Sequence, residues 1–182
     1  RDSSVTEFRR VLFRSKSLLP FELTVTNFKA TYDPKTSSPV DYKLDVDLSK
    51  PIGTTPIHKV IKVNSPLTFG STKVYLQANG YSPMVQIRDM TKKIIFEGAV
   101  PFLPQDGNLT STGAFKLPDT NPQIGIIATF TPTYAMNAER GAFSTYPEAL
   151  DPKLIFSVWS GNLGLDSGIP QSVYRVDTSK MK

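Results

Sequence analysis

Residues Tyr42-Lys43-Leu44-Asp45-Val46-Asp47-Leu48 alternate apolar and polar side chains without a break. Only an extended strand turns that period of two into one apolar and one solvated face. Residues 21–26 repeat the pattern, and residues 59–63 continue it until Asn64-Ser65-Pro66, where proline cannot donate to a ladder and restricts the residue before it. Further runs at 73–77, 84–88, 94–96 with Val100, 124–131, 154–159 and 172–176 bring the expected set to about nine strands. Fifteen prolines and eleven glycines punctuate them, as many short strands joined by turns require. Only residues 137–150 leave room for a helical turn, with Tyr146-Pro147-Glu148-Ala149-Leu150 reading as a proline-started helix of one or two turns. The expected fold is therefore all-β: an antiparallel β-sandwich or barrel-like sheet pair with long turns and at most one short helix. Loops at 33–39 and 49–56 are flanked at once by resumed strand pattern, so residues 16–182 are expected to form a single β-rich domain.

Charge and composition narrow the function. With 39% hydrophobic and 20% charged residues the chain can bury a core and is neither disordered nor membrane-spanning along its length. Of the net +5, the first fifteen residues hold +2, and the remainder is scattered without a basic stripe, which excludes a nucleic-acid surface. Within that start, Glu7-Phe8-Arg9-Arg10-Val11-Leu12-Phe13-Arg14-Ser15 looks like a translated sequencing adapter, so residues 1–15 are expected to be no part of the fold. No cysteine is present, which removes disulfides, thiolate metal sites and redox CxxC chemistry.

Reactive constellations are sparse. His58 is the one histidine, so any charge-relay triad has to be built on it, and a multi-histidine metal site is excluded. Its place, in a polar loop entering a strand, makes surface exposure the ordinary outcome. Asp45 and Asp47 share a strand face, the arrangement of a solvated sheet face rather than of a glycosidase pair. Asp106-Gly107-Asn108 has oxygen ligands at a turn but not the repeated acids of a calcium loop. Gly161-Asn162-Leu163-Gly164 is followed by no helix pattern that would hold a phosphate. No catalytic residue, resident cofactor or metal ligand is expected. Aromatic residues near turns remain: Tyr81, Phe102, Tyr134 and Trp159 either plug the ends of the sandwich or form a rim that docks a partner.

Two turn-rich stretches are too distinctive to follow from composition. They are Pro101-Phe102-Leu103-Pro104-Gln105-Asp106-Gly107-Asn108-Leu109-Thr110-Ser111-Thr112-Gly113 and Gly161-Asn162-Leu163-Gly164-Leu165-Asp166-Ser167-Gly168-Ile169-Pro170-Gln171-Ser172-Val173-Tyr174. Together with Val63-Asn64-Ser65-Pro66-Leu67, Thr72-Lys73-Val74-Tyr75-Leu76 and Gly80-Tyr81-Ser82-Pro83 in that order, they resemble the extracytoplasmic domain of ResB proteins of cytochrome c biogenesis, the actinobacterial branch in particular. The resemblance implies an accessory component and not an enzyme, held at the cell membrane by helices on either side of this segment, with the domain on the extracytoplasmic side. It implies a ResC-type membrane partner and apocytochrome c as the recipient, in the System II pathway, with haem handled by the full complex and not bound by this segment. Gln105, Asp106 and Asp166, from the two stretches, join Tyr81, Phe102, Tyr134 and Trp159 as candidate partner-binding residues. The alternative from another class is a secreted or surface β-sandwich that binds carbohydrate or serves adhesion; a hydrolase resting on Asp106 or Asp166 is a third.

Overall fold

The computed structural model describes residues 21–165, 168, 172–179 and 181–182. Among them are thirteen strands and no α-helix, every strand pair is antiparallel, and no sheet closes into a barrel. No helix there is long and apolar enough to cross a membrane. The chain resolves into two compact units, Arg1–Ala78 and Asn79–Lys182. The division falls in residues 75–83, which are strand-free and show no shift in composition that would mark a boundary.

In the first unit, β1 (Glu22–Tyr32), β2 (Pro39–Ser49) and β3 (Ile57–Lys62) form a sheet in that order. Leu23 pairs with Leu48, Val25 with Val46, and Leu44 with Ile61, so the alternation places these side chains on one face. A register shift between Val25 and Asn27 leaves Thr26 as an extra residue and keeps Phe28, opposite Leu44, on the apolar face. Without it, Phe28 would rotate to the charged side. A hairpin of β4 (Leu67–Phe69) and β5 (Thr72–Val74), turned at Gly70 with φ +57°, covers fully buried Val46 and Ile61 with Leu67, Phe69 and Val74.

The second unit is built on a sheet in the order β13 (Lys153–Ser160), β10 (Ile124–Thr131), β9 (Ser111–Leu117), β8 (Leu103–Pro104). Two hairpins accompany it: β6 (Met84–Arg88) with β7 (Ile94–Ala99), and β11 (Tyr134–Asn137) with β12 (Gly141–Ser144). One sheet face carries Phe115, Ala128 and Phe130, packed with Val100 and Phe102 and flanked by Tyr81, Val85, Phe96, Ile126 and Leu154. The other carries Ala114 and Trp159 against Leu163, Val176 and Met181 of the C-terminal segment. Lys116 Nζ donates to Ser172 O at 2.7 Å, and Gln123 Oε1 accepts from Leu163 N at 2.8 Å, fastening that segment.

Two expectations are corrected, and one strand is added. Residues 172–176 form no strand; they carry Val176 into the core as irregular chain. Residues 146–150 form no helix, because Pro147 O and Glu148 O are taken by the Tyr81 hydroxyl and the Thr133 hydroxyl and are not free for helical bonds. Ser111–Leu117 is a central strand although the sequence reading passes over it.

Candidate functional site

Tyr81 and Phe102 come together, as neighbours inside the core and not on a rim. Phe102 N donates to Tyr81 O at 3.1 Å and Val100 N to Pro83 O at 3.1 Å, so the Gly80–Pro83 stretch runs beside the proline-bracketed one. Phe102 is 4% exposed, its ring 6.0 Å from that of Phe115 and 6.2 Å from that of Phe130. Gly113 makes this possible: a Cβ there would lie 2.8 Å from Phe102 Cδ2. Tyr81 stacks on Phe130 at 5.0 Å, and its hydroxyl donates to Pro147 O at 2.8 Å. Neither ring lies open as carbohydrate recognition would need.

Gln105 and Asp106 shape the next turn. Gln105 N donates to Thr110 O at 2.7 Å, and Gln105 Nε2 reaches Leu103 O at 2.8 Å and Thr112 Oγ1 at 3.2 Å. Asp106 Oδ1 accepts from Asn108 N at 3.0 Å and Thr110 N at 2.9 Å, while Leu109 turns at φ 59° into a buried position. A carboxylate bridging two backbone amides this way is a turn cap. The hydrolase reading loses its acid there. Asp166 lies outside the described residues.

Tyr134 is half-buried in β11 opposite Ser144, apart from the Tyr81–Phe102 pair in the fold's bonding pattern. Trp159, near the end of β13, packs on Ala114, Leu163, Val176 and Met181, and its buried Nε1 has no hydrogen-bond partner among the described residues. The expected aromatic set is thus dispersed over distinct packing sites.

In the first unit, the charged face of the sheet gathers a cluster that sequence spacing only hinted at. Asp45, 8% exposed, accepts from Lys43 Nζ and from Asn27 Nδ2 at 3.1 Å. His58 sits in β3 rather than in a loop, with Nδ1 3.2 Å from Asp47 Oδ1 and Nε2 3.6 Å from Asp45 Oδ1. The Lys43 hydrogen bond, helped by Asn27 and by the charges of Lys43 and His58, holds the Asp45 carboxyl below its ordinary value. Among the described residues no group of histidine and acidic side chains has the geometry to hold a metal ion. The cluster binds strand to strand across the ladder.

The feature that sequence reasoning missed is the outer edge of β13. Ser160 N donates to Lys182 O and Lys182 N to Ser160 O, both at 2.9 Å, whereas Gly161 N turns inward to Gln123 O at 2.9 Å. By alternation, the amides and carbonyls of Val158, Phe156 and Leu154 also face away from β10. Phe156 is 60% and Val158 55% exposed, on the same face as the Phe115–Phe130 core. The signal was present in Leu154-Ile155-Phe156-Ser157-Val158-Trp159, which is apolar on both faces, as a strand expecting a neighbour would be.

A model of the ResB-like family matches residues 2–182. The chain belongs to the ResB-like family. No curated protein and no solved structure matches it. Membership makes this a protein of cytochrome c biogenesis, an assembly component of a membrane-associated family. Two of the stretches that suggest ResB from sequence, Gly80–Pro83 and Pro101–Gly113, run side by side and supply Tyr81 and Phe102 to the second unit's core.

Proposed function

We propose that this ResB-like chain is an extracytoplasmic scaffold that works with a ResC-type membrane partner while haem is delivered to apocytochrome c and attached at its CxxCH thiols. The observation that carries this reading is the family match over residues 2–182. The geometry agrees with assembly rather than catalysis: the candidate acids Asp45 and Asp106 are engaged in structural hydrogen bonds, and the signature aromatics Tyr81 and Phe102 in packing. Haem belongs to the complex in this account, and the β-units hold partners in register around it.

The test is genetic and biochemical together. In a bacterium whose own ResB-like protein has been removed, the full protein carrying this sequence restores haem-stained c-type cytochromes and co-purifies with the ResC-type protein. Added protease cleaves it in spheroplasts with intact membranes. Normal cytochrome levels in the deletion strain, or protection from external protease, would overturn the reading. An unfolded CxxCH peptide binding no better than its scrambled version would leave the scaffold role without recognition of the recipient.

A further inference from the structure

We infer that the tip of the β6–β7 hairpin is a membrane-contact finger, which sets Met90 among the headgroups of a bilayer carrying anionic phospholipid and holds it there with Arg88, Lys92 and Lys93. The inference draws on the chain's membership of a membrane-associated family and is independent of the haem-delivery reading.

The hairpin is anchored at its base and presented at its tip. Val85 and Phe96 pack on the second unit's core, and the ladder runs out to Arg88 opposite Ile94. Beyond it the turn is closed twice, with Asp89 N donating to Lys93 O and Lys92 N to Asp89 O, both at 2.9 Å. Asp89 Oδ1 then accepts from Thr91 Oγ1 at 2.6 Å, Thr91 N at 2.8 Å and Lys93 N at 3.0 Å, so the one acid of residues 88–93 is committed to the turn itself. A turn capped this way needs no partner to hold its shape. At its summit Met90 is 101% exposed, more than any other large apolar side chain among the described residues.

Three cations flank that methionine. Arg88 donates from Nη1 to Lys92 O at 3.0 Å and from Nε to Gln86 Oε1 at 2.8 Å, which lays its guanidinium against the turn. Lys92 and Lys93 stand exposed, and no acid other than Asp89 lies in the turn. Lys92 holds φ 68°, a left-handed backbone that glycine adopts freely and lysine does not, so a cation is kept where the turn alone would favour glycine. Ile94 and Ile95 follow at 40% and 36% exposure and add apolar surface at the same end of the hairpin. An apolar summit beside positive charge is complementary to a bilayer, whose phosphates lie above its acyl chains. A single protruding methionine offers no flat apolar patch for a folded partner to cover, whereas lipid headgroups close around a protrusion of any shape. Each cation near such a surface strengthens partitioning about fivefold, so the finger orients a chain already kept at the membrane rather than recruiting it.

The chain's four methionines make the test residue-resolved. With isotope-labelled methionine methyl groups, the full chain is mixed with vesicles of equal parts phosphatidylglycerol and phosphatidylcholine that carry spin-labelled lipid, and line widths are read against the same vesicles without the label. The Met90 signal is expected to broaden most, while Met136, 63% exposed on the other hairpin, and the buried Met181 stay sharp. Vesicles of phosphatidylcholine alone leave all four sharp, and raised salt reverses the broadening. Lys92→Gly relaxes the backbone while removing one cation, and weakens co-sedimentation with the anionic vesicles about fivefold. Met90→Asp, at a position with no packing to lose, weakens it at least as much. Equal broadening of Met90 and Met136, a Met90 signal that stays sharp on anionic vesicles, or unchanged binding by Lys92→Gly overturns the proposal. Where the vesicles do not bind and Lys92→Gly still lowers cytochrome assembly in the deletion strain, the proposal falls and the tip is assigned to a protein partner. Full assembly by a Lys92→Gly protein that has lost vesicle binding would leave the finger standing and separate it from biogenesis.

Discussion

The two units solve the same problem, covering an antiparallel sheet, by different means. In the first, apolar and charged residues segregate to opposite faces of β1–β2–β3, and a small hairpin lies over the apolar one. In the second, the central strand β9 reads Ser-Thr-Gly-Ala-Phe-Lys-Leu, and the core is made by inserting Phe102 from a loop into the space left at Gly113. One unit is patterned and the other interlocked. The difference teaches that a sheet rich in small residues has traded alternation for shape, and that its stability rests on fewer, larger contacts.

Substitutions separate the two modes. Phe102→Ala is expected to cost about 3–5 kcal/mol, measured by urea unfolding followed through the fluorescence of Trp159, the chain's one tryptophan and a reporter of the second unit. A change below about 0.5 kcal/mol would make Phe102 a surface aromatic and return it to the partner-binding set. Gly113→Ala tests the same lock from the other side, forcing a Cβ against the Phe102 ring, with an expected loss of about 1–3 kcal/mol on the same probe. In the patterned unit, Ile61→Val removes one methylene from a fully buried site and is expected to cost about 0.5–1.5 kcal/mol. That loss should register in far-ultraviolet dichroism and leave the Trp159 signal unmoved; coincident shifts on both probes would mean the units unfold as one.

The smallest effect is electrostatic. Folding lowers the Asp45 carboxyl pKa below its ordinary value of 3.8, so its contribution is present at neutral pH and disappears as pH falls below about 4. Asp33 acts with the same sign, lowered mainly by the amides of Thr36 and Lys35. Asp45→Asn is therefore expected to flatten, without abolishing, the acid limb of the first unit's stability curve. An unchanged acid limb in dichroism would show that the Asp45–Lys43–His58 face contributes nothing to that unit.

How much of this was legible follows from the same contrast. The strands of the first unit could be read because Leu44, Val46 and Leu48 announce a face, and the all-β class followed from that alternation together with the proline and glycine spacing. The order of the distinctive stretches carries the resemblance to ResB. The site was less readable. Phe102 between two prolines looks like a displayed aromatic until Gly113, eleven residues on and across a β8–β9 pairing, is seen to leave the space for its ring. Asp106 looks like a ligand until its oxygen is found on two amides. The outermost place of β13 depends on the strand order of a sheet, which no local pattern encodes.

One hydroxyl draws these threads together. The fully buried Ser144 has its Oγ 2.7 Å from Tyr146 O and accepts from Thr133 N at 3.0 Å, and its own amide donates to Thr110 Oγ1 at 2.8 Å. Thr110 ends the turn that Asp106 caps, so this loop is stitched from below to a hairpin some thirty residues downstream, a separation of 34 positions along the chain. Such a loop is not a cassette. A graft that replaced residues 105–110 with a turn of equal length but no hydroxyl at its final position would fit the gap and still strand the Ser144 amide in the interior, unhooking the β11–β12 hairpin from the sheet it braces.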